Sequence, residues 1–438
     1  MVCVHDDLDV AELREQVVVH RATDEGDPES VGHGPILAPG ASYPLAIDTE
    51  IRSITEDELP ELQRVLAYAF GNFGGQPPPW IHPDWTTCAF VDGRLATTFG
   101  AWPFRVRFNG RSVAMAGITM VATLPEFRRR GLLRRLMTKA LSDQRDQGQA
   151  IAILWASMGA IYQRYGFGLA SSNVTYEIDP RRIEFASGAP ASGSVRLYSQ
   201  EDARPIFEAL YKEFSRPRNL LIQRAKAMWD LRQQGERQHF GVYHDGAGEP
   251  RGFIGIEMGT DPTRSPDQTI DVRDWAAIDA DAYRGLWEFL GAHDLVGRVR
   301  WDRVPEDDPA SLLFLEPREL HRRTADAIWM RITDVVAALP LRPYAEADAI
   351  TIAVTDELCP WNAGTYVLET TGAESSAEKV DATPDLTMPV ASLAVLMSGH
   401  RPASVLARAG RIEGDPKAIA RADRLFVTDH APWCNDGF

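Results

Sequence analysis

The segment of this sequence best equipped for chemistry is a strand-like run ending at Thr123, then Pro125, then Arg128-Arg129-Arg130-Gly131 ahead of an amphipathic helix. Pro125 ends a strand ladder because it has no N–H to donate. Gly131 leaves the backbone unhindered where the helix begins. A helix N-terminus presents N–H groups that have no intrahelical partner, and its dipole favours an anion. With three arginines at the same end, this junction reads as a cradle for phosphate or pyrophosphate. Two other readings stand beside it: a solvated helix face, which suits Arg134 and Arg135, and a nucleic-acid patch. The sequence has no G-x-x-x-x-G-K-[ST] and no G-x-G-x-x-G after a strand.

The next group lies just downstream. After the strand-like Ile151–Ala156, Gly159 opens a short helix carrying Ile161-Tyr162-Gln163-Arg164-Tyr165, closed by Gly166-Phe167-Gly168. Taken alone, Tyr162 is equally a core tyrosine on an amphipathic turn. Metal chemistry has little to stand on. The cysteines (Cys3, Cys88, Cys359, Cys434) are far apart, the histidines are scattered and no H-E-x-x-H occurs. No metal site and no disulfide framework are expected, and a reduced, cytoplasmic setting fits.

The elements that must position these groups follow from periodicity. IRSIT from Ile51 reads as a strand. Thr55 and Glu58 form a capping box for a helix through Ala69, with Leu59, Leu62, Val65, Leu66 and Ala69 on one face. Asp92-Gly93 and Asn109-Gly110 mark hairpins, the second feeding the strand Ser112–Thr123. The helix after the cradle spans Leu132–Gln147. IRSITEDELPELQRVLAYAF (Ile51–Phe70) and VRLYSQEDARPIFEALYKEF (Val195–Phe214) share one layout, and the order β-α-β-β-β-α recurs after each. The chain reads as two copies of one fold. A third region from about Leu341 holds strands at Ala349–Val354, Thr365–Thr371 and Leu386–Met388. Helical stretches follow at Val390–Met397, Ala403–Ala409 and Lys417–Ala422.

The chain has 438 residues, which suggests about three domains. Its hydrophobic content of 44% and charged content of 25% are those of a globular protein. No apolar run reaches the roughly 20 residues of a membrane span. MVCVHDDLDV has neither a basic n-region nor an apolar h-region, so no secretory signal is expected. The net charge of −16 argues against nonspecific nucleic-acid binding. Much of that acidity sits in residues 1–44, a Gly-, Pro- and Asp-rich lead-in expected to be disordered.

From Gly117 to Gly168 the sequence resembles the GCN5-related N-acetyltransferase (GNAT) superfamily. In that family a [Q/R]-x-x-G-x-[G/A] turn binds the pyrophosphate of acetyl-CoA, and here it reads Arg128-Arg129-Arg130-Gly131-Leu132-Leu133. Leu133 stands where a small residue is usual. Over nearly all of residues 46–438 the chain is similar to the Eis ("enhanced intracellular survival") acetyltransferases. The signature is P-x-x-R-R-R-G-L-L-R from Pro125, then A-S-x-G-x-I-Y-x-R-[FY]-G-[FY]-G from Ala156. That resemblance implies an α/β (α+β) protein with two tandem GNAT-like domains and a C-terminal sterol-carrier-like domain. The expected divisions are residues 1–45 (acidic extension), 46–190 (catalytic GNAT domain), 191–335 (degenerate second GNAT-like domain) and 336–438 (sterol-carrier-like domain). The second copy reads Ala280-Asp281-Ala282-Tyr283-Arg284-Gly285 at the cradle position, so one active site per chain is expected.

The resemblance further implies direct acetyl transfer from acetyl-CoA to an amine. Tyr162 takes the place of the general acid, and the terminal carboxylate of Phe438 that of the general base. Acetyl-CoA would be held by Val121, Ala122, Thr123, Arg128, Arg129, Arg130, Gly131, Leu132 and Ser157. Phe70, Asn72, Trp80, Trp155 and Met158 would line the acceptor pocket. Asn72 and Met158 stand where related enzymes carry acids, which puts aminoglycoside use in question and leaves a lysine-type amine open. A homo-hexamer is implied by resemblance alone. A noncatalytic CoA- or lipid-binding scaffold is the competing reading.

Overall fold

The computed structural model describes residues 48–71, 81–233, 237–263 and 265–438. The expectations for the acidic lead-in, Asn72 and Trp80 lie outside the described residues.

Strands β1 (Thr49–Arg52), β2 (Cys88–Val91), β3 (Arg94–Phe108), β4 (Arg111–Thr123), β5 (Ile151–Trp155) and β6 (Gly168–Leu169) build a first sheet. Strands β7 (Ser172–Ile178), β8 (Ser194–Tyr198), β9 (Gln238–His244), β10 (Pro250–Thr260), β11 (Gln268–Ala277), β12 (Val296–Pro305) and β13 (Arg323–Asp326) build a second. Strand β14 (Ile328–Ile332) then returns to the first sheet, between β5 and β6. The third sheet has the order β17-β16-β15-β18-β19, from β15 (Asp348–Thr355), β16 (Gly364–Thr370), β17 (Ser375–Val380), β18 (Leu386–Pro389) and β19 (Glu413–Gly414). The longer helices are α1 (Leu59–Phe70), α2 (Leu132–Asp146), α3 (Gly159–Gln163), α4 (Gln200–Ser215), α5 (Lys226–Arg232), α6 (Ala280–Gly291), α7 (Val390–Ser398), α8 (Ala403–Arg408) and α9 (Pro416–Leu425).

Both hairpins form at the expected turns, with positive φ at Asp92-Gly93 and Asn109-Gly110 as two-residue primed turns require. The Thr55–Glu58 capping box is present. Strand β3 runs unbroken over 15 residues from Arg94 to Phe108. It passes through Pro103 where β4 is its only strand partner, an edge that tolerates a missing donor.

The two halves exchange strands. β7 pairs antiparallel with β12 of the second sheet, and β14 pairs antiparallel with β5 of the first. A division of the chain near residue 190 is therefore a division of sequence, not of sheets. Periodicity gives no hint of this, because SNVTYEI and IWMRI would suit either sheet.

The first sheet is covered on both faces. Ala116, Ile118, Ala152 and Leu154 pack against Leu136, Met137, Ala140 and Leu141 of α2. On the other face, Val106, Met115 and Ile153 share a core with Leu393, Leu396 and Met397 of α7. The third domain thus packs directly on the sheet that carries the chemistry-bearing segment.

Candidate active site

Strands β4 and β5 run parallel but pair only over Ala116–Ile118 and Ala152–Leu154. Beyond that point a bulge turns β4 away. Its register against β3 shifts between Thr98 and Gly100, and Met120 takes a positive φ of 55°. Thr98 Oγ1 donates to the Met120 carbonyl at 2.6 Å. The Met120 methyl packs where a Cβ on Gly100 would stand. Val121, Ala122 and Thr123 therefore lie on a stretch of β4 that has β3 on one side and no β5 partner on the other. The outcome is a wedge between two strands, with backbone groups facing into it.

The cradle stands at the mouth of that wedge. Pro125–Phe127 forms a single 3-10 turn, and Phe127 and Leu132 are buried together against Val91 and Ala96. Arg128 Nε donates to the Thr123 carbonyl at 3.0 Å, and an Arg130 guanidinium nitrogen donates to the Glu126 carbonyl at 2.7 Å. Arg129 and the N-cap residue Gly131 are left-handed, with φ of 62° and 75°. No side chain caps α2, and Arg135 N–H donates to the Gly131 carbonyl at 3.1 Å. The N–H groups of Leu132, Leu133 and Arg134 belong to the unpartnered first turn. Arg128, Arg129 and Arg130 are exposed around them. This set fits a pyrophosphate, which needs several donors and positive charge.

Tyr162, on α3, is only 6% exposed and meets Phe167 edge-on at 5.7 Å between ring centroids. It packs in the cluster of Ile118 and Leu154, on the α2 face of the sheet. Burial pushes its phenol up to about 12. It therefore holds its proton at neutral pH and can act there as an acid, not as a base.

The C-terminal residues approach from the opposite face. Residues 432–436 are buried. Trp433 N–H donates to the Asn219 carbonyl at 2.9 Å, and its Nε1–H to the Arg303 carbonyl at 2.7 Å. The Asp436 carboxylate meets Arg224, and the Asp436 carbonyl accepts from Trp155 Nε1–H at 2.9 Å. Phe438 then lies edge-on to Phe104, 5.2 Å between centroids, and over Gly117. An added Cβ on Gly117 would strike the Phe104 ring and reach to 3.4 Å from the Phe438 ring. Gly117 belongs to the last rungs of the β4–β5 ladder, so the Phe438 ring lies against that end of the ladder, on the face opposite the cluster that holds Tyr162.

Family models match all three regions. Residues 50–170 and 220–332 each match an acetyltransferase (GNAT) domain, and 335–435 a sterol carrier protein domain. An uncharacterized N-acetyltransferase of Streptomyces avermitilis is 32% identical over 411 residues, 89% of this chain and all of that protein. The N-acetyltransferase Eis of Mycobacterium tuberculosis is 30% identical over 409 residues, 86% of this chain and 96% of that protein. The chain belongs to the Eis-like GNAT N-acetyltransferases. The crystal structure of Eis1 from Mycobacterium abscessus matches with a TM-score of 0.76 at 27% identity, over 89% of this chain and all of that one. A GCN5-related N-acetyltransferase from Anabaena variabilis shares the fold, with a TM-score of 0.80 at 22% identity over the same shares.

This Eis-like chain is an acetyltransferase, and GNAT acetyltransferases use acetyl-CoA. Among the described residues, its second half offers no equivalent cradle. The first turn of α6 is capped by Asp279, which accepts from Ala282 N–H at 2.8 Å. Asp281 accepts from Ser192 N–H at 2.9 Å and from the Tyr243 hydroxyl at 2.6 Å. An anion there would meet two carboxylates. No helix of the described residues is long and apolar enough to cross a membrane.

Of the residues singled out from sequence, Val121–Thr123 and Arg128–Leu132 come together at the wedge and its mouth. Ser157 and Met158 are exposed just before α3, and Phe70 is exposed at the end of α1. Trp155 has an additional role, since its indole holds the C-terminal segment. Sequence reasoning missed the groups that hold this segment from the second half: Asn219, Arg224, Arg232, Asp274 and Arg303. They belong to no motif, and the polar pair Asn435-Asp436, buried within the tail, is the one signal that could have pointed to them.

Proposed function

We propose that this enzyme transfers the acetyl group of acetyl-CoA directly to an amine, with Tyr162 as general acid and the Phe438 carboxylate as general base. The observation that supports the reading is the contact of the Phe438 ring with Gly117 on one face of the sheet, with Tyr162 in the cluster of Ile118 and Leu154 on the other. Arg128–Leu132 would hold the pyrophosphate, while Val121–Thr123 and Ser157 would line the thioester arm. A backbone N–H on this stretch of β4 would polarise the acetyl carbonyl. The carboxylate takes a proton from the amine nitrogen as that nitrogen bonds to the acetyl carbon. Tyr162 gives its proton to the sulfur as the carbon–sulfur bond breaks.

The acceptor would reach the carboxylate from the side of Phe70, Trp155 and Met158, and the resemblance adds Asn72 and Trp80 to that pocket. Aromatic and apolar groups with few acids suit an amine on an apolar or peptide frame better than a polycation. A homo-hexameric, cytoplasmic enzyme completes the proposal by family resemblance. The test is CoA release with a panel containing simple primary amines, a lysine peptide and an aminoglycoside. Turnover with the first two and little with the third is the expected result. Absence of turnover and of CoA binding would overturn the reading.

A further inference from the structure

We infer that the second GNAT-like half is a socket for the C-terminal tail, with Arg224 and Asp274 as positioning residues for the Phe438 carboxylate. The inference rests on the reading of that carboxylate as the base. It assigns a task to a half that has no cradle of its own.

The socket is a buried charge network. Arg224, fully buried, donates to both oxygens of Asp274 at 2.7 and 3.0 Å and to both oxygens of Asp436 at 2.9 and 3.2 Å. Its guanidinium lies 3.9 Å from the Tyr211 ring centroid and 4.6 Å from that of Trp229. Arg232 reaches the same two carboxylates, at 3.0 and 3.3 Å. Asn435 is held at both ends. Its side-chain amide donates to Asp274 at 3.2 Å, and its carbonyl accepts from Arg232 and Arg303, each at 3.2 Å. Apart from Asn435 and Asp436, these groups all come from the second half, between α4 and β12.

Asp436 joins the two halves. Its side chain is fixed in the second half, and its carbonyl is fixed on Trp155 of β5 in the first. Phe438 follows two residues later. A base must sit within hydrogen-bond reach of the proton it removes, yet chain ends are the least ordered part of most proteins. Burying two arginines and two aspartates is an inefficient way to add stability, because desolvation offsets most of their attraction. What such a network supplies is one defined geometry, since removing any single partner strands a buried charge. Here that geometry is the path of the tail.

The test uses the full chain and the amine with the highest turnover in the panel above. Variants are Arg224→Met, Asp436→Asn and Trp155→Phe, with Arg224→Lys as the conservative control. Two readings are taken together: kcat and acetyl-CoA KM, and the rate at which a carboxypeptidase releases Phe438. Arg224→Met and Asp436→Asn should lower kcat at least tenfold with KM unchanged and release Phe438 at least tenfold faster. Arg224→Lys should recover part of both. Trp155→Phe keeps a ring and loses one hydrogen bond, so it should fold and move both readings the same way by less. It decides the matter if the charge variants do not fold. A fall in kcat without faster release overturns the socket, as does no change in either. Faster release with unchanged kcat instead overturns the carboxylate as base and leaves the socket standing.

Discussion

The indole Nε1–H of Trp155 donates a 2.9 Å hydrogen bond to the carbonyl of Asp436, across 281 positions of sequence. The bond ties the end of a central strand to the end of the chain. It fixes how far Phe438 can reach, and it makes the carboxylate testable by changes that leave the core alone.

Deleting Phe438, or adding one glycine after it, should lower kcat by about 10²-fold or more, the usual contribution of a general base. CoA affinity, read by calorimetry, should stay within about twofold, because no residue of the tail belongs to the proposed CoA site. Full activity of the glycine-extended chain would remove the carboxylate from the mechanism.

Tyr162→Phe keeps the edge-on contact with Phe167 and removes only the hydroxyl. A fall in kcat of about 10²-fold with an unchanged melting temperature is expected. The pH profile carries the sign. A phenol raised to about 12 works in its protonated form, so its contribution should persist across neutral and mildly alkaline pH and fade only as pH approaches 12. Its contribution to stability follows the same direction, full below the unfolded pKa near 10 and lost as pH rises through the folded value.

Gly131→Ala places a side chain in open space but on a backbone with φ of 75°. The strain of about 1–2 kcal/mol should tilt the first turn of α2. Acetyl-CoA KM should rise with little change in kcat, the mark of an interaction made equally in ground and transition states. Arg129→Ala should behave alike, with an effect that shrinks as salt is added. A fall in kcat at constant KM would place these residues elsewhere in the reaction.

Arg331 of β14 and Asp356 form a fully buried pair at 2.7 Å that joins the first sheet to the third domain. Asp356 also accepts from the N–H groups of Leu358 and Cys359, at 3.2 and 3.0 Å. Arg331→Met strands that carboxylate and should cost about 3–5 kcal/mol. Denaturant unfolding reads it directly, and a loss below about 1 kcal/mol would show that water or a neighbour replaces the arginine.

Burial alone would raise the Asp274 carboxyl, but Arg224 and Arg232 outweigh it and hold its pKa below the usual value. A carboxyl depressed on folding adds stability above its unfolded pKa, near 3.9, and loses it as pH falls through the folded value. Acid should therefore loosen the tail, seen as faster carboxypeptidase release of Phe438 below about pH 4. Asp274→Asn should flatten that dependence.

The cradle was readable from sequence because strand, proline, basic turn and helix follow one another, so local rules suffice. The Thr55 cap and the Asn109-Gly110 hairpin were readable for the same reason. The role proposed for the tail comes only from family resemblance. Trp433 to Phe438 carries no periodic pattern, and its partners lie at Asn219, Arg224, Asp274 and Arg303, brought close by tertiary structure alone. The bulge at Met120 was also hidden, because methionine at positive φ has no sequence signature.

The strand exchange sets an order of events during synthesis. β5 emerges from the ribosome well before β14, its neighbour on one side, has been made. Until Ile328–Ile332 arrives, the first sheet keeps an open edge of buried-type residues, Ile151 to Trp155, which is a template for pairing with another chain. Slow translation between the halves would lengthen that exposure. A chaperone that shields strand edges should therefore raise the yield of this protein more than a longer refolding time would.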